Sequence, residues 1–149
     1  MILADTNVFT IASFYRGDRS YEASKRFVER IPELGVSITV HNLFEICGIA
    51  SFHLKQSELE QWFYHFDELY EVEILYPTNL HGTAEQYFSG FVDDLFTFLS
   101  RGMAYHDAEV LSIAEKYCVS HFVTWNKKHF EGRTRIPVST PAEFLRAVA

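Results

Sequence analysis

Apolar residues in this chain fall into two kinds of pattern, short runs of three or four and longer stripes with helical spacing. Ile2-Leu3-Ala4 is a short apolar run that fits a buried strand. Tyr21–Arg30 reads as a helix that stops near Pro32. Val36-Ser37-Ile38-Thr39 is a β-branched strand, and Val40–Ser51 after it turns helical. Ser57 is expected to open the next helix, with Glu60 three residues on as a capping box. The stripe of that helix is Leu59, Trp62, Phe63, Phe66, Leu69 and Tyr70. Val72–Leu75 fits a strand, and a second aromatic stripe follows at Tyr87, Phe88, Phe91, Leu95, Phe98 and Leu99. Ala104–Tyr117 is a helix carrying Ala108, Leu111 and Ala114, and His121-Phe122-Val123-Thr124 is a strand. Val138 marks a short strand, and Pro141 starts the helix Ala142–Val148.

Strands alternate with helices, which predicts an α/β layered fold with a largely parallel sheet. In such folds ligands sit beyond the carboxyl ends of the strands. Asp5 directly follows the first strand and Asn126 follows the His121–Thr124 strand, so both face one sheet edge if those strands are neighbours.

Composition narrows the class. At 149 residues, 48% hydrophobic and 22% charged, the chain reads as one globular domain spanning 1–149. Its net charge of −7 excludes binding to nucleic acid by bulk attraction, so any such contact needs a local basic patch or a bridging cation. Cys47 and Cys118 lie in helical patterns with no metal-ligand spacing, and read as small buried hydrophobes of a reducing compartment. The apolar start meets Asp5 after four residues and no apolar run approaches membrane-spanning length, so a cytoplasmic protein is expected.

Acids and amides then recur where strands hand over to helices. Asp5 alone reads equally well as a turn or cap residue. Asp107, in the first turn of its helix, equally complements a helix dipole. Glu45 is harder to explain structurally. It lies within the apolar run Leu43–Ala50, where a buried acid is costly unless paired or bound to metal.

Several motifs together resemble PIN-domain proteins, in particular the VapC toxins of toxin–antitoxin pairs. They are Leu3-Ala4-Asp5-Thr6-Asn7-Val8-Phe9, the mid-helix Glu45, Tyr105-His106-Asp107-Ala108, Val123-Thr124-Trp125-Asn126 with His129-Phe130, and the closing Ser139–Leu145. The resemblance runs over essentially the whole length and implies a PIN-like three-layer α/β/α fold with a short, mostly parallel central sheet. It implies an endoribonuclease dependent on Mg²⁺ or Mn²⁺, with Asp5, Glu45 and Asp107 as metal ligands and Asn126 completing the catalytic set. Many family members carry an aspartate where Asn126 stands, which makes a second metal position weaker here. A cognate antitoxin and a homodimer are implied as partners. The residue types suit the chemistry, because carboxylates and waters hold hard cations that activate water for phosphodiester cleavage. Thr6 and Thr124 would orient a carboxylate, and Asn7 would either cap the first helix or join the acid cluster.

Substrate phosphates are expected at Lys127, Lys128, Arg133 and Arg135, a basic run bordering Asn126 with only Glu131 against it. The same run also reads as a solvated loop. Arg16 and Arg19 form a smaller second candidate. His106 and His129 lie near the acids and are expected to play background roles. Asp93 or Asp94 could support the acidic site, although a solvated helix face explains them as well. The two aromatic stripes are expected to be mostly core, with a surplus facing a partner.

Two other classes fit parts of this pattern. A non-catalytic PIN-like domain that binds RNA or protein draws on Asn126, and the three acids argue against it. An aspartyl-phosphate enzyme draws on Asp5 after a strand, but a phosphatase of that kind wants a second acid two residues on, where Asn7 stands.

Overall fold

Strands of two to four residues suffice here because the central ones are buried on both faces. The computed structural model describes residues 1–78 and 82–149. Its strands are β1 (Ile2–Ala4), β2 (Val36–Thr39), β3 (Glu73–Leu75), β4 (His121–Val123) and β5 (Val138–Ser139). They form one sheet in the order β3-β2-β1-β4-β5, and every pairing is parallel. Ile2 stands opposite Val36 on one side and His121 on the other, so β1 is central.

Alternation along the strands divides the core into two layers. Ala4, Ile38 and Val123 point into a cluster with Phe9, Phe27, Ile46, Phe66 and Phe144. Leu3, Leu75 and Phe122 point the other way, toward Phe98, Leu111, Ile113 and Phe130. The first cluster is covered by α1 (Thr6–Phe14), α2 (Tyr21–Glu29), the short α3 (Ile31–Leu34), α4 (Val40–Ala50), α5 (Gln56–Tyr70) and α9 (Pro141–Ala147). The second is covered by α6 (Ala84–Leu99), α7 (Tyr105–Lys116) and the single turn α8 (Lys127–Phe130). This is a three-layer α/β/α sandwich around a short parallel sheet. Among the described residues no helix is long and apolar enough to cross a membrane.

Several expectations need correction. The helix expected to open at Ser57 begins a residue earlier, because Glu58 rather than Glu60 reaches back to the Lys55 amide, at 2.9 Å. The aromatic stripes are core only in part: in α5 Leu59, Trp62, Phe66 and Tyr70 pack in or against the core while Phe63 and Leu69 are exposed, and in α6 Phe98 and Leu95 pack on the core while Phe88 and Leu99 are exposed. A sheet only three or four residues deep cannot face two helices of this length along their whole stripes. Glu45 is only partly buried, its side chain 40% exposed on the face of α4 that meets His106 of α7. Cys47 is buried as expected, but Cys118 is exposed in the turn that ends α7.

Candidate active site

The sheet reverses its winding between β1 and β4, and that crevice at the strands' carboxyl ends is where α/β sheets place ligands. Asp5 sits there. Its backbone N–H donates to the Val123 carbonyl at 2.9 Å, extending the β1–β4 ladder by one residue. Its side chain caps α1, accepting from the Thr6 amide at 2.8 Å. Three more donors converge on the same carboxylate. Thr124 Oγ1 donates at 2.6 Å, Asn7 Nδ2 at 2.8 Å and Asn42 Nδ2 at 3.2 Å. Four donors on one carboxylate fix Asp5 in orientation.

Burial pushes the Asp5 carboxyl up to about 6, against the lowering effect of the Thr124 and Thr6 hydrogen bonds. The charges of Glu45 and Asp107 push in the same direction as burial. Three acids from β1, α4 and α7 therefore share one electrostatic neighbourhood.

Glu45 and Asp107 each face a histidine. Glu45 Oε2 lies 2.8 Å from His106 Nε2, a close charge contact whose N–H is poorly aligned for a hydrogen bond. Burial acts to raise the Glu45 carboxyl, but His106 and the Thr6 hydroxyl hold it below its usual range. The Glu45 contact raises His106 in return, against burial. Asp107 Oδ2 lies 2.9 Å from His129 Nδ1. Asn126 starts α8, its amide donates to Thr124 Oγ1 at 2.9 Å, and its exposed side chain makes no hydrogen bond among the described residues.

The oxygens of Asp5, Glu45, Asp107 and Asn126 are hard donors of the type that hold Mg²⁺ or Mn²⁺. No three His, Cys, Asp or Glu side chains among the described residues already converge as a cage. Glu45 and Asp107 point to imidazoles, and Asp5 to its four donors.

Of the supporting residues, Thr6 and Thr124 both lie against Asp5. Asn7 joins the cluster rather than capping α1, because Asp5 itself is the cap. Asn7 also accepts from the Trp125 amide at 3.1 Å, tying the ends of β1 and β4 together.

The basic run does not form one patch. Lys127 and Lys128 line a hollow with Trp125, Asn126 and His129, next to the acids. Lys127 is engaged by Glu143 at 3.0 Å and Glu131 at 3.4 Å, and the Glu143 bond raises its ammonium. Lys128 is exposed and makes no ion pair among the described residues. Arg133 and Arg135 line a different hollow with Arg101 and Glu115. Arg133 is spent on structure there, donating to the carbonyls of Gly102 and Lys128. Asp94 is paired with Lys116, and Asp93 lies exposed on α6.

Asn42 is a site residue that the sequence does not single out. It is fully buried, completes a capping box with Thr39, and donates to both Asp5 and Thr6 Oγ1. The Thr39-x-x-Asn42 spacing carries the capping signal, but nothing local points Asn42 at Asp5. The pairing of His106 and His129 with the acids is equally invisible in the sequence, since each pair bridges separate helices.

No protein-family model and no curated protein sequence matches the chain. Solved structures do. VapBC2 from Rickettsia felis, bound to a DNA fragment from its promoter, aligns with a TM-score of 0.60 at 19% identity, over 94% of this chain and 98% of that one. FitAcB from Neisseria gonorrhoeae aligns with a TM-score of 0.60 at 14% identity, over 95% and 99%. Mycobacterium tuberculosis VapC20, a sarcin–ricin loop cleaving toxin, aligns with a TM-score of 0.53 at 18% identity, over 82% and 87%. The chain has the PIN-like fold of VapC-type proteins. In a PIN-like fold with this strand order, Asp5 and Asn126 flank the switch point from β1 and β4, while α4 and α7 bring Glu45 and Asp107 to it.

Proposed function

We propose that the chain is a divalent-metal-dependent endoribonuclease, the toxin of a toxin–antitoxin pair, working with a cognate antitoxin and as a homodimer. What supports this reading is the PIN-like topology, which places Asp5, Glu45 and Asp107 on elements around one switch point, close enough that Asp5 feels the charge of both other acids although the three side chains do not yet form a cage. That mutual repulsion is what a cation would relieve, and the oxygen-rich donor set suits a hard one.

Asp5, Glu45 and Asp107 would hold Mg²⁺ or Mn²⁺, with Asn126 offering a neutral oxygen beside them. When bound, such an ion activates water and stabilises charge on the leaving oxygen of a phosphodiester. The protein's own contribution is positional. Thr6, Asn7, Asn42 and Thr124 fix the Asp5 carboxylate with four donors, so it meets the reacting group without reorganising. His106 and His129 hold Glu45 and Asp107 in place, contacts that a bound cation would have to compete with. Lys128, exposed in the hollow beside Asn126, is the cation best placed to hold a substrate phosphate. Arg133 contributes by fixing the loop instead, which leaves Arg135 as a peripheral contact at most.

The direct test is cleavage of a structured RNA pool in Mn²⁺, Mg²⁺ or EDTA, beside Asp5→Asn. Metal-dependent cutting lost in the variant is expected. No cutting by folded protein free of any partner would favour a non-catalytic binding domain, a reading that draws on the engagement of Glu45 and Asp107 by imidazoles.

A further inference from the structure

An aromatic hollow opens directly beside Glu45. It has a volume of about 540 Å³ and is lined by Tyr15, Glu45, Gly48, Ile49, Phe52 and His53. Phe52 is 88% exposed, the most exposed of the large hydrophobic side chains described. It lies in the turn after α4, seven residues and roughly two helical turns past Glu45. Tyr15 closes α1 on the facing side, and its ring meets His53 edge-on at 5.7 Å. His53 is held in turn by stacking on Phe14 at 4.6 Å and 9°. Gly48 leaves the floor open, because a side-chain carbon there would meet nothing within 4 Å.

We propose that this hollow takes an unpaired nucleobase of the RNA substrate, one or two nucleotides from the bond that is cut. The proposal rests on the nuclease reading and deepens it. Three observations select a base over other occupants. The hollow shares Glu45 with the candidate active site, so whatever fills it lies against that site. Its walls are aromatic and apolar with Glu45 as the one acid, which suits a flat neutral ring and repels a phosphate. Arg16, next to Tyr15, is exposed and makes no ion pair among the described residues, so a cation stands ready for the backbone of a base held there. Aromatic stacking of this kind tolerates any base and gives position rather than sequence.

The test uses short single-stranded RNAs carrying 2-aminopurine at successive positions, with binding read by fluorescence in EDTA and in Mg²⁺ at low salt. Wild-type protein is expected to quench the probe at one or two positions near the cut. Phe52→Ala and Tyr15→Ala should each lose that quench and weaken binding by about fivefold to a hundredfold, the usual range for one stacked base. Phe52→Trp should restore both. An abasic site at the quenched position should make wild type and Phe52→Ala bind alike. Binding without quench by wild type, or equal quench and affinity in both alanine variants, would overturn the proposal. A change in oligomeric state with unchanged RNA binding would also overturn it, assigning the hollow to a protein contact. Binding is read separately from cutting, so failure of the nuclease reading would appear as quench without cleavage.

Discussion

Asp5 concentrates the energetics of the site in one carboxylate. Its folded-state pKa is raised from 3.8 to about 6, chiefly by burial. A raised acid favours the fold while protonated and weighs against it once ionised. Its relative stabilisation is therefore complete below about pH 4 and lost as pH rises through 6. A rise of that size corresponds to about 3 kcal/mol. In EDTA, the stability difference between Asp5→Asn and wild type should move in the variant's favour by about that amount between pH 4 and pH 7, read by urea denaturation at each pH. A pH-independent difference would mean that Asp5 is solvated. Thr124 is the partner to probe next. Thr124→Val removes the donor to Asp5 and leaves the Asn126 amide without its acceptor, so it should cost about 1–3 kcal/mol. Serine at the same position should recover most of that loss. These two residues are legible in the sequence because each directly follows an apolar strand. Asn42 is not, because its contact with Asp5 spans 37 residues and nothing local encodes it.

At the scale of elements, stability and exposure separate cleanly along the aromatic helices. Phe66 of α5 is fully buried against Phe9, Trp62 and Tyr70. Phe66→Ala should cost about 3–5 kcal/mol in urea denaturation. Phe88 of α6 is 63% exposed, and Phe88→Ala should shift the same midpoint by no more than about 0.5 kcal/mol. An equally large loss at Phe88 would restore the sequence reading of the α6 stripe as core. Period alone misleads there, because 3.6-residue spacing reports which face is apolar and not what covers it. The strands are readable from their β-branched runs and from the turn residues around them. The short α3 and α8 are not, since four residues carry too little periodicity to register. Glu45 misleads in the opposite sense. Apolar neighbours in sequence suggest full burial, whereas α4 leaves Glu45 partly exposed and facing His106 of α7.

The whole molecule carries a net charge of −7, yet it sets three acids around one crevice. Divalent metal should therefore stabilise the fold by binding it preferentially, by about 2.7 kcal/mol at a hundredfold excess over Kd. Mg²⁺ or Mn²⁺ should raise the Tm of wild type and leave that of Asp5→Asn nearly unmoved. The acids stand after β1, midway along α4 and in the first turn of α7, and they become a site only through the β3-β2-β1-β4-β5 topology. Asp5, Glu45 and Asp107 are proposed to act on RNA as one metal-holding unit. Single-turnover cleavage of an end-labelled RNA in Mn²⁺ tests it most directly, comparing wild type with Asp5→Asn, Glu45→Gln, Asp107→Asn and the triple variant. The account predicts that each single change loses nearly as much rate as the triple, because groups acting together are not additive. Metal-independent cutting, or full activity in any of the single variants, would contradict it.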